Sequence, residues 1–332
     1  MLRRSLFGAM AALAVTMSAA FAAENKPAIV FDIGGKFDKS FNESMFNGAE
    51  KFKAESGVAY GEFEIANEAQ REQAIRNFAD QGYSPIIAAG FAQAAAVEKV
   101  AKEYPELKFA IVDMVVDLPN VQSIVFKEHE GSYLVGLLAG MASKSGKVGF
   151  VGGMDIPLIR KFACGYAQGV KAAKADATIF QNMTGDTGAA WNDPVKGGEI
   201  TKGQMAQGAD VVYAAAGATG LGVLQAAADG GALSIGVDAN QNYLHPGKVL
   251  TSMLKRVDVA VFNVMKNGND GFKPGIQVLG LAEEGVGYAM DDNNKPLVTA
   301  EMQAAAEKAR ADIIAGTIKV HDYTTDNTCP VQ

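Results

Sequence analysis

Residues Phe31 to Asn42 read Phe-Asp-Ile-Gly-Gly-Lys-Phe-Asp-Lys-Ser-Phe-Asn, and the fold follows from what flanks them. Ahead lies a short apolar run, Ala28-Ile29-Val30-Phe31, β-branched enough to be a buried strand. Behind, Phe41 to Lys53 places Met45, Phe46, Ala49 and Phe52 at helical spacing. Strand, paired glycines, polar turn and helix make the opening of a βαβ unit. Gly34 and Gly35 let the backbone turn where a Cβ would clash. Asp32 therefore stands at the carboxyl end of the first strand, the place where open α/β sheets take their ligands. Capping the turn is its other available role.

Outward from this unit the same alternation continues. Phe63 to Ala66 reads as a second strand and Asn67 to Gln81 as a helix, broken by Gly82-Tyr83-Ser84-Pro85. Ile86 to Gly90 is a third strand, Phe91 to Tyr104 a helix, and Lys108 to Asp113 a fourth strand ending in a carboxylate. Val121 to Phe126 is a fifth, followed by an apolar helix from Glu130 to Ser143.

Then the pattern restarts. Lys147 to Gly153 is another strand ending in paired glycines, and the next helix carries Phe162 and Gly169 seven apart, as Phe41 and Gly48 are. The strand ending at Gly217 mirrors the one ending at Gly90, and the strand ending at Asp238 mirrors the one ending at Asp113. Gly90 and Asp113 are 23 apart; Gly217 and Asp238 are 21 apart. The physical reading is two similar α/β lobes, each a parallel sheet wrapped by helices, with strand ends facing across a cleft. The period is far longer than a solenoid repeat. Val249 to Lys266 supplies a strand and a helix, Gly275 to Met290 an extended return across the lobes, and Thr299 to Ile314 an amphipathic helix with Thr299 as N-cap. The last sixteen or so residues are polar and are expected to pack weakly, Cys329 apart.

The chain has 332 residues, 48% hydrophobic and 20% charged, enough for two ordinary domains with sizeable cores. Basic Arg3-Arg4, an apolar stretch from Leu6 to Met17 and small residues in Ala20-Phe21-Ala22 form a secretory signal peptide, residues 1–22, cleaved after Ala22. A retained anchor helix is the alternative, but the stretch is short for a bilayer. No Cys follows it, so no lipid anchor is expected. Loss of Arg3 and Arg4 leaves 28 basic residues against 37 acidic, a net charge of −9, which argues against nucleic acid or an anionic membrane as partner. Cys164 and Cys329 could form a disulfide in an oxidising compartment or remain two thiols. His129, His245 and His321 are scattered without metal spacing, and no metal or cofactor is expected.

The strand ends collect Asp32, Phe41, Asn42, Gly90, Phe91, Asp113, Trp191 with Asn192 and Asp193, Gly217, Asp238 and Lys255. Carboxylates accept hydrogen bonds from hydroxyls and ring N–H groups, and aromatics stack on flat rings. The set suits an uncharged, hydroxylated molecule with a planar heterocycle; a phosphate dianion would call for Arg and helix N-termini. Each residue also has an ordinary role: Phe41 in the core, Trp191 covering an edge, Lys255 as a solvated strand end. Enzyme signatures are missing. There is no Gly-x-Ser-x-Gly elbow, no phosphate loop and no Gly-x-Gly-x-x-Gly after the first strand. Gly217-Ala218-Thr219-Gly220-Leu221-Gly222 is a strand-to-helix turn.

At these residues the chain resembles the basic membrane protein family, substrate-binding proteins of ABC transporters similar to purine-nucleoside receptors. The resemblance runs from Asp32-Ile33-Gly34-Gly35 and Asp38-Lys39-Ser40-Phe41-Asn42 through Asn192-Asp193-Pro194-Val195-Lys196-Gly197, Gly236-Val237-Asp238 and Lys255-Arg256-Val257-Asp258 to Gly285-Val286-Gly287. It implies a type I periplasmic-binding-protein fold, two Rossmann-like lobes joined by three crossovers. The first lobe would hold residues 23–128 plus about 256–290, the second 129–255 plus about 291–332. It implies Asp32, Asn42 and Asp113 on a base, Phe41 and Trp191 sandwiching it, and Gly217, Asp238 and Lys255 on ribose hydroxyls. It further implies a monomeric periplasmic receptor that delivers a nucleoside to an ABC permease. A free sugar (ribose or deoxyribose) or a flavin is the alternative ligand in the same fold, and a nucleoside-processing enzyme the alternative of another class.

Overall fold

Residues 25–331 are described by a computed structural model; the expected signal peptide lies outside the described residues. The first lobe opens with β1 (Ala28–Phe31), α1 (Phe41–Ser56), β2 (Gly61–Glu64), α2 (Gln70–Asp80), β3 (Ile86–Ala88), α3 (Ala94–Glu103), β4 (Phe109–Val112) and β5 (Val121–Phe126). All four residues of β1 are buried, as expected of a central parallel strand covered by helices on both faces.

The chain then crosses to the second lobe, with α4 (Glu128–Ala142), β6 (Lys147–Met154), α5 (Pro157–Ala173), β7 (Thr178–Gly185), α6 (Pro194–Ala206), β8 (Val211–Ala215), α7 (Thr219–Asp229), β9 (Leu233–Asp238) and β10 (Val249–Lys255). It returns with α8 (Val257–Asn267), which packs on α1, and β11 (Gly275–Leu279), which pairs with β5. It crosses a third time to β12 (Val286–Tyr288) and α9 (Ala300–Ile314). The expected first-lobe segment to about 290 is thus too long. β12 runs antiparallel to β10 in the second sheet, so the crossing falls between Leu279 and Val286.

The two sheets have matching orders, β11-β5-β4-β3-β1-β2 and β12-β10-β9-β8-β6-β7. In each, strand order reverses between the first and third strands of the lobe. A doubly wound sheet binds its ligand at that switch point, outside the carboxyl ends. Asp32 and Gly90 flank it in one lobe, Gly153 and Gly217 in the other.

The duplicated Phe-to-Gly spacing has a packing cause. A Cβ on Gly48 would lie 2.2 Å from the Asp258 carbonyl oxygen, and one on Gly169 would lie 2.0 Å from that of Tyr133. Each glycine lets its helix press against the helix that covers it, α8 on α1 and α4 on α5. Strand β7 escaped the sequence reading because it is a half-exposed edge without clean alternation.

The C-terminal tail does not pack weakly, contrary to the sequence expectation. Cys164 and Cys329 are bonded, with Cα atoms 5.6 Å apart. Gln168 of α5 donates from Nε2 to the His321 carbonyl (3.0 Å) and accepts the His321 N–H at Oε1 (2.8 Å). Asp322 sits 3.5 Å from the Lys161 ammonium.

Candidate functional site

One cavity between the lobes is lined by all ten residues collected from the strand ends: Asp32, Phe41, Asn42, Gly90, Phe91, Asp113, Trp191, Gly217, Asp238 and Lys255. Its empty space is about 630 Å³ with the open mouth included. Asn192 and Asp193 stay outside the lining; Asp193 caps α6 by accepting the Lys196 N–H at 2.9 Å.

In the first lobe, the Asp32 carboxylate is held at the end of β1 by two contacts. Its Oδ1 accepts from the Ile33 N–H (2.9 Å) and from Arg71 Nη2 (3.3 Å). Its Oδ2 points toward Gly90, where a Cβ would approach to 2.9 Å; Gly90 also has φ +90°, so glycine is needed twice over. Burial raises the Asp32 pKa even against the Ile33 and Arg71 contacts. Asn42 spends its amide on the Asp32 backbone, accepting its N–H at 3.2 Å and donating to its carbonyl at 3.3 Å. It therefore braces Asp32 and keeps one amide hydrogen for anything in the cavity.

Asp38 was missed as a cavity residue. Its carboxylate accepts the backbone N–H groups of Ser40 (2.8 Å), Asn42 (3.0 Å) and Glu43 (3.0 Å), capping α1. Burial nonetheless pushes it up to about 6. An acid three residues before a helix was the available signal, and it predicts a cap, which is what Asp38 is.

In the second lobe, Trp191 lies over the end of β6. A Cβ on Gly153 would reach within 2.2 Å of the indole Cζ3, so the second glycine of the Gly152-Gly153 pair makes room for the ring. Phe162 of α5 also lines the cavity. The repeat signalled it, since Phe162 occupies the position of Phe41, but helical spacing does not say which face meets a ligand. Two aromatics from each lobe, Phe41 and Phe91, Trp191 and Phe162, thus border the same space.

Asp113 and Asp238, the mirrored carboxylates, share a conformation as well as a position. Their φ angles are +72° and +64°, left-handed geometry that Asp tolerates better than most residues. Lys255 is 2% exposed, which rules out a solvated strand end. Its ammonium touches both Asp113 oxygens, at 2.6 and 2.7 Å, and lies 5.1–5.5 Å from the rings of Phe41, Phe126 and Phe162. Burial opposes its charge, but Asp113, Glu128 and Asp238 outweigh it and hold its pKa above the usual range. Asp238 is buried and pushed to about 6, with Lys255 and Ser40 pulling it back.

The lobes touch across the cleft. Ser40 Oγ donates to Asp238 Oδ2 at 2.5 Å, and Gln241 Nε2 donates to the Lys39 carbonyl at 2.9 Å. The cavity is therefore closed at this rim. Four carboxylates and one ammonium face it. Among the described residues no cluster of His, Cys, Asp and Glu could hold a metal ion, and no helix is long and apolar enough to cross a membrane.

Two lobes of like topology, three crossings and a cavity at paired switch points are features that this chain shares with solved solute-binding proteins. A solved solute-binding protein of an ABC transporter system from Aeropyrum pernix K1 superimposes with a TM-score of 0.82 at 29% identity, over 90% of this chain and 93% of that one. The profile of the Bmp family, ABC transporter substrate-binding proteins that are PnrA-like, matches residues 26–324, and the chain belongs to that family. A Lactococcus lactis subsp. cremoris protein named as the ABC transporter nucleoside-binding protein BmpA is 34% identical over 322 residues, 89% of this chain and 88% of its own. A Pyrococcus horikoshii protein named as an uncharacterized lipoprotein is 36% identical over 276 residues, 79% of this chain and 68% of its own. The family comprises substrate-binding proteins of transporters, not enzymes.

Proposed function

We propose that this chain is an exported receptor that closes on a neutral purine nucleoside and delivers it to an ABC permease, acting as a monomer. One observation carries the ligand reading: acids and aromatics from both lobes border one cavity that holds a single ammonium. Carboxylates at Asp113 and Asp238 accept from ribose hydroxyls and ring N–H groups, while the rings of Phe41 and Trp191 take the two faces of a heterocycle. The aromatic pair favours a ligand with a planar heterocycle over free ribose, which has no π-system to stack between two rings. The relative named as nucleoside-binding supports the same reading.

Four acids against one ammonium also repel a phosphate. Calorimetric titration with inosine, guanosine and adenosine should give tight one-to-one binding for at least one of them, and the matching 5′-monophosphate should bind at least 100-fold more weakly, about 2.7 kcal/mol by the usual conversion. Equal affinity for nucleoside and monophosphate would reject the charge argument. Binding of ribose alone, with no nucleoside bound, would reject the stacking argument.

Trp191 is the sole tryptophan, so its emission reports on one place. Adding the bound nucleoside should quench or shift it with the calorimetric stoichiometry. A flat fluorescence titration at saturating ligand would remove Trp191 from the sandwich.

Acid should weaken binding. Asp238 accepts ligand hydroxyls in its ionised form, and burial brings its pKa to about 6. Affinity should hold above pH 7 and fall as the pH drops through 6, by roughly tenfold at pH 5 for one linked proton. Stability of the free protein should move the other way. Asp38 and Asp238 have folded pKa values raised above the ordinary 3.8, so their stabilising contribution is complete below about pH 4 and is lost as the pH rises through 6. Affinity and these two groups' stability terms should therefore change with opposite sign between pH 7 and 5, checked by calorimetry and by thermal melting of Asp38→Asn and Asp238→Asn beside the parent protein.

A further inference from the structure

Lys255 is one end of a buried chain of alternating charges that leaves the cavity and ends in the C-terminal tail. Behind Lys255, Glu128 Oε1 lies 3.0 Å from its ammonium. Glu128 is the first residue of α4, just past the first crossing between the lobes; it is 1% exposed and lines no part of the cavity. Its other oxygen lies 3.0 Å from Lys161 Nζ on α5. Lys161 donates to the Phe126 carbonyl at 2.7 Å and stands 3.5 Å from Asp322 Oδ2. Asp322 belongs to the tail that Gln168 and the Cys164–Cys329 bond hold against α5.

Each member depends on the next. A Lys ammonium has three donors. Asp113 Oδ2 accepts one of them at 2.7 Å and Glu128 Oε1 stands 3.0 Å from the same nitrogen, so the two carboxylates together fix the ammonium where Lys255 lines the cavity. Without Glu128, Lys255 would be drawn fully onto Asp113, and two buried ammonium groups would lose their shared counter-charge. Lys161 in turn keeps Glu128 from facing Lys255 alone, so the carboxylate stays between its two partners. His129 also approaches Asp322, with Nδ1 at 3.7 Å, but burial favours its neutral form.

We propose that Glu128 and Lys161 are positioning residues for ligand binding, which hold the Lys255 ammonium in place at the cavity wall, and that the tail completes the set through Asp322. The proposal rests on reading the cavity as a nucleoside site. It gives the strapped tail a part in affinity, although no tail residue touches the cavity.

The test compares the parent protein with Glu128→Gln, Lys161→Met, Lys161→Arg and Asp322→Asn. Three readouts are taken: thermal melting, the lysine ammonium ¹H–¹⁵N spectrum of the free protein with the Lys255 signal assigned by Lys255→Met, and calorimetry with inosine, or with guanosine or adenosine where the parent binds one of those instead. Glu128→Gln should move or erase the Lys255 ammonium signal and weaken inosine at least tenfold in folded protein. Lys161→Arg should recover most of what Lys161→Met loses, and Asp322→Asn should cost a few-fold. Folded Glu128→Gln and Lys161→Met with the ammonium signal and inosine affinity within twofold of the parent would overturn the proposal. Weaker binding with an unmoved Lys255 signal would overturn it as well. Should Glu128→Gln not fold, Asp322→Asn decides: its half-buried tail position tolerates change, and unaltered affinity and spectrum there reject the chain. A parent protein that ignores all three nucleosides, yet whose Lys255 signal responds to Glu128→Gln, would reject the nucleoside reading and uphold the positioning role.

Discussion

Asp238→Ala should abolish nucleoside binding while both lobes stay folded. The carboxylate ends β9 in the cavity, is 7% exposed and accepts the cross-cleft bond from Ser40. Its loss removes the hydroxyl acceptor and loosens the closed rim together. Hydrogen bonds to a charged group contribute roughly 1.5–3 kcal/mol each, so losing two predicts weakening on the order of 10²- to 10⁴-fold. The fold should not suffer in proportion. Burial raises the pKa of Asp238, so its charge works against the folded state at pH 7 and its removal relieves that term. The left-handed φ of +64° is the one local strain Ala would feel, and Asp238→Asn keeps the turn while removing the charge. Calorimetry with inosine beside thermal melting reads both effects. Affinity within threefold of the parent in either variant would remove Asp238 from the site.

Replacing both cysteines, Cys164→Ala with Cys329→Ala, should give the largest loss of stability. The bond joins residues 165 apart in sequence. On the loop-entropy account a link of that span restricts the unfolded chain by about 5 kcal/mol, and removal of native disulfides spans roughly 2–5 kcal/mol. Ala suits the buried side of Cys164 better than a hydroxyl would. Urea unfolding of the oxidised parent and the double variant measures the difference, and a change under 1 kcal/mol would mean that the tail, not the folded core, bears the constraint. The double variant should also free Asp322 from Lys161, and so bind inosine a few-fold more weakly.

The lobes were legible because their strands are short apolar runs ending in a carboxylate or a glycine, and because those endings recur. Asp113 and Asp238 share even their left-handed backbone, a constraint that selects Asp at both places. The cavity lining was legible for one reason: the carboxyl ends of parallel strands converge, so naming strand ends names neighbours. What depends on helix orientation was not. Phe162 was visible as a repeat of Phe41 but its face was not, and Asp38 showed only its capping role. Glu128, Lys161 and Asp322 are far apart in sequence and meet only through packing of α4, α5 and the tail. Polar tail residues read as solvated, because the partners that hold them, Gln168 and Lys161, lie on a helix about 150 residues earlier.

The central claim is that the closed cavity selects an uncharged, hydroxyl-bearing heterocycle. The most direct measurement is mass spectrometry of the small molecule released by denaturing protein purified without added ligand from nucleoside-fed cells. The account predicts a purine nucleoside at near one equivalent per chain. A phosphorylated nucleotide, an amino acid or a free sugar released in that amount would contradict it.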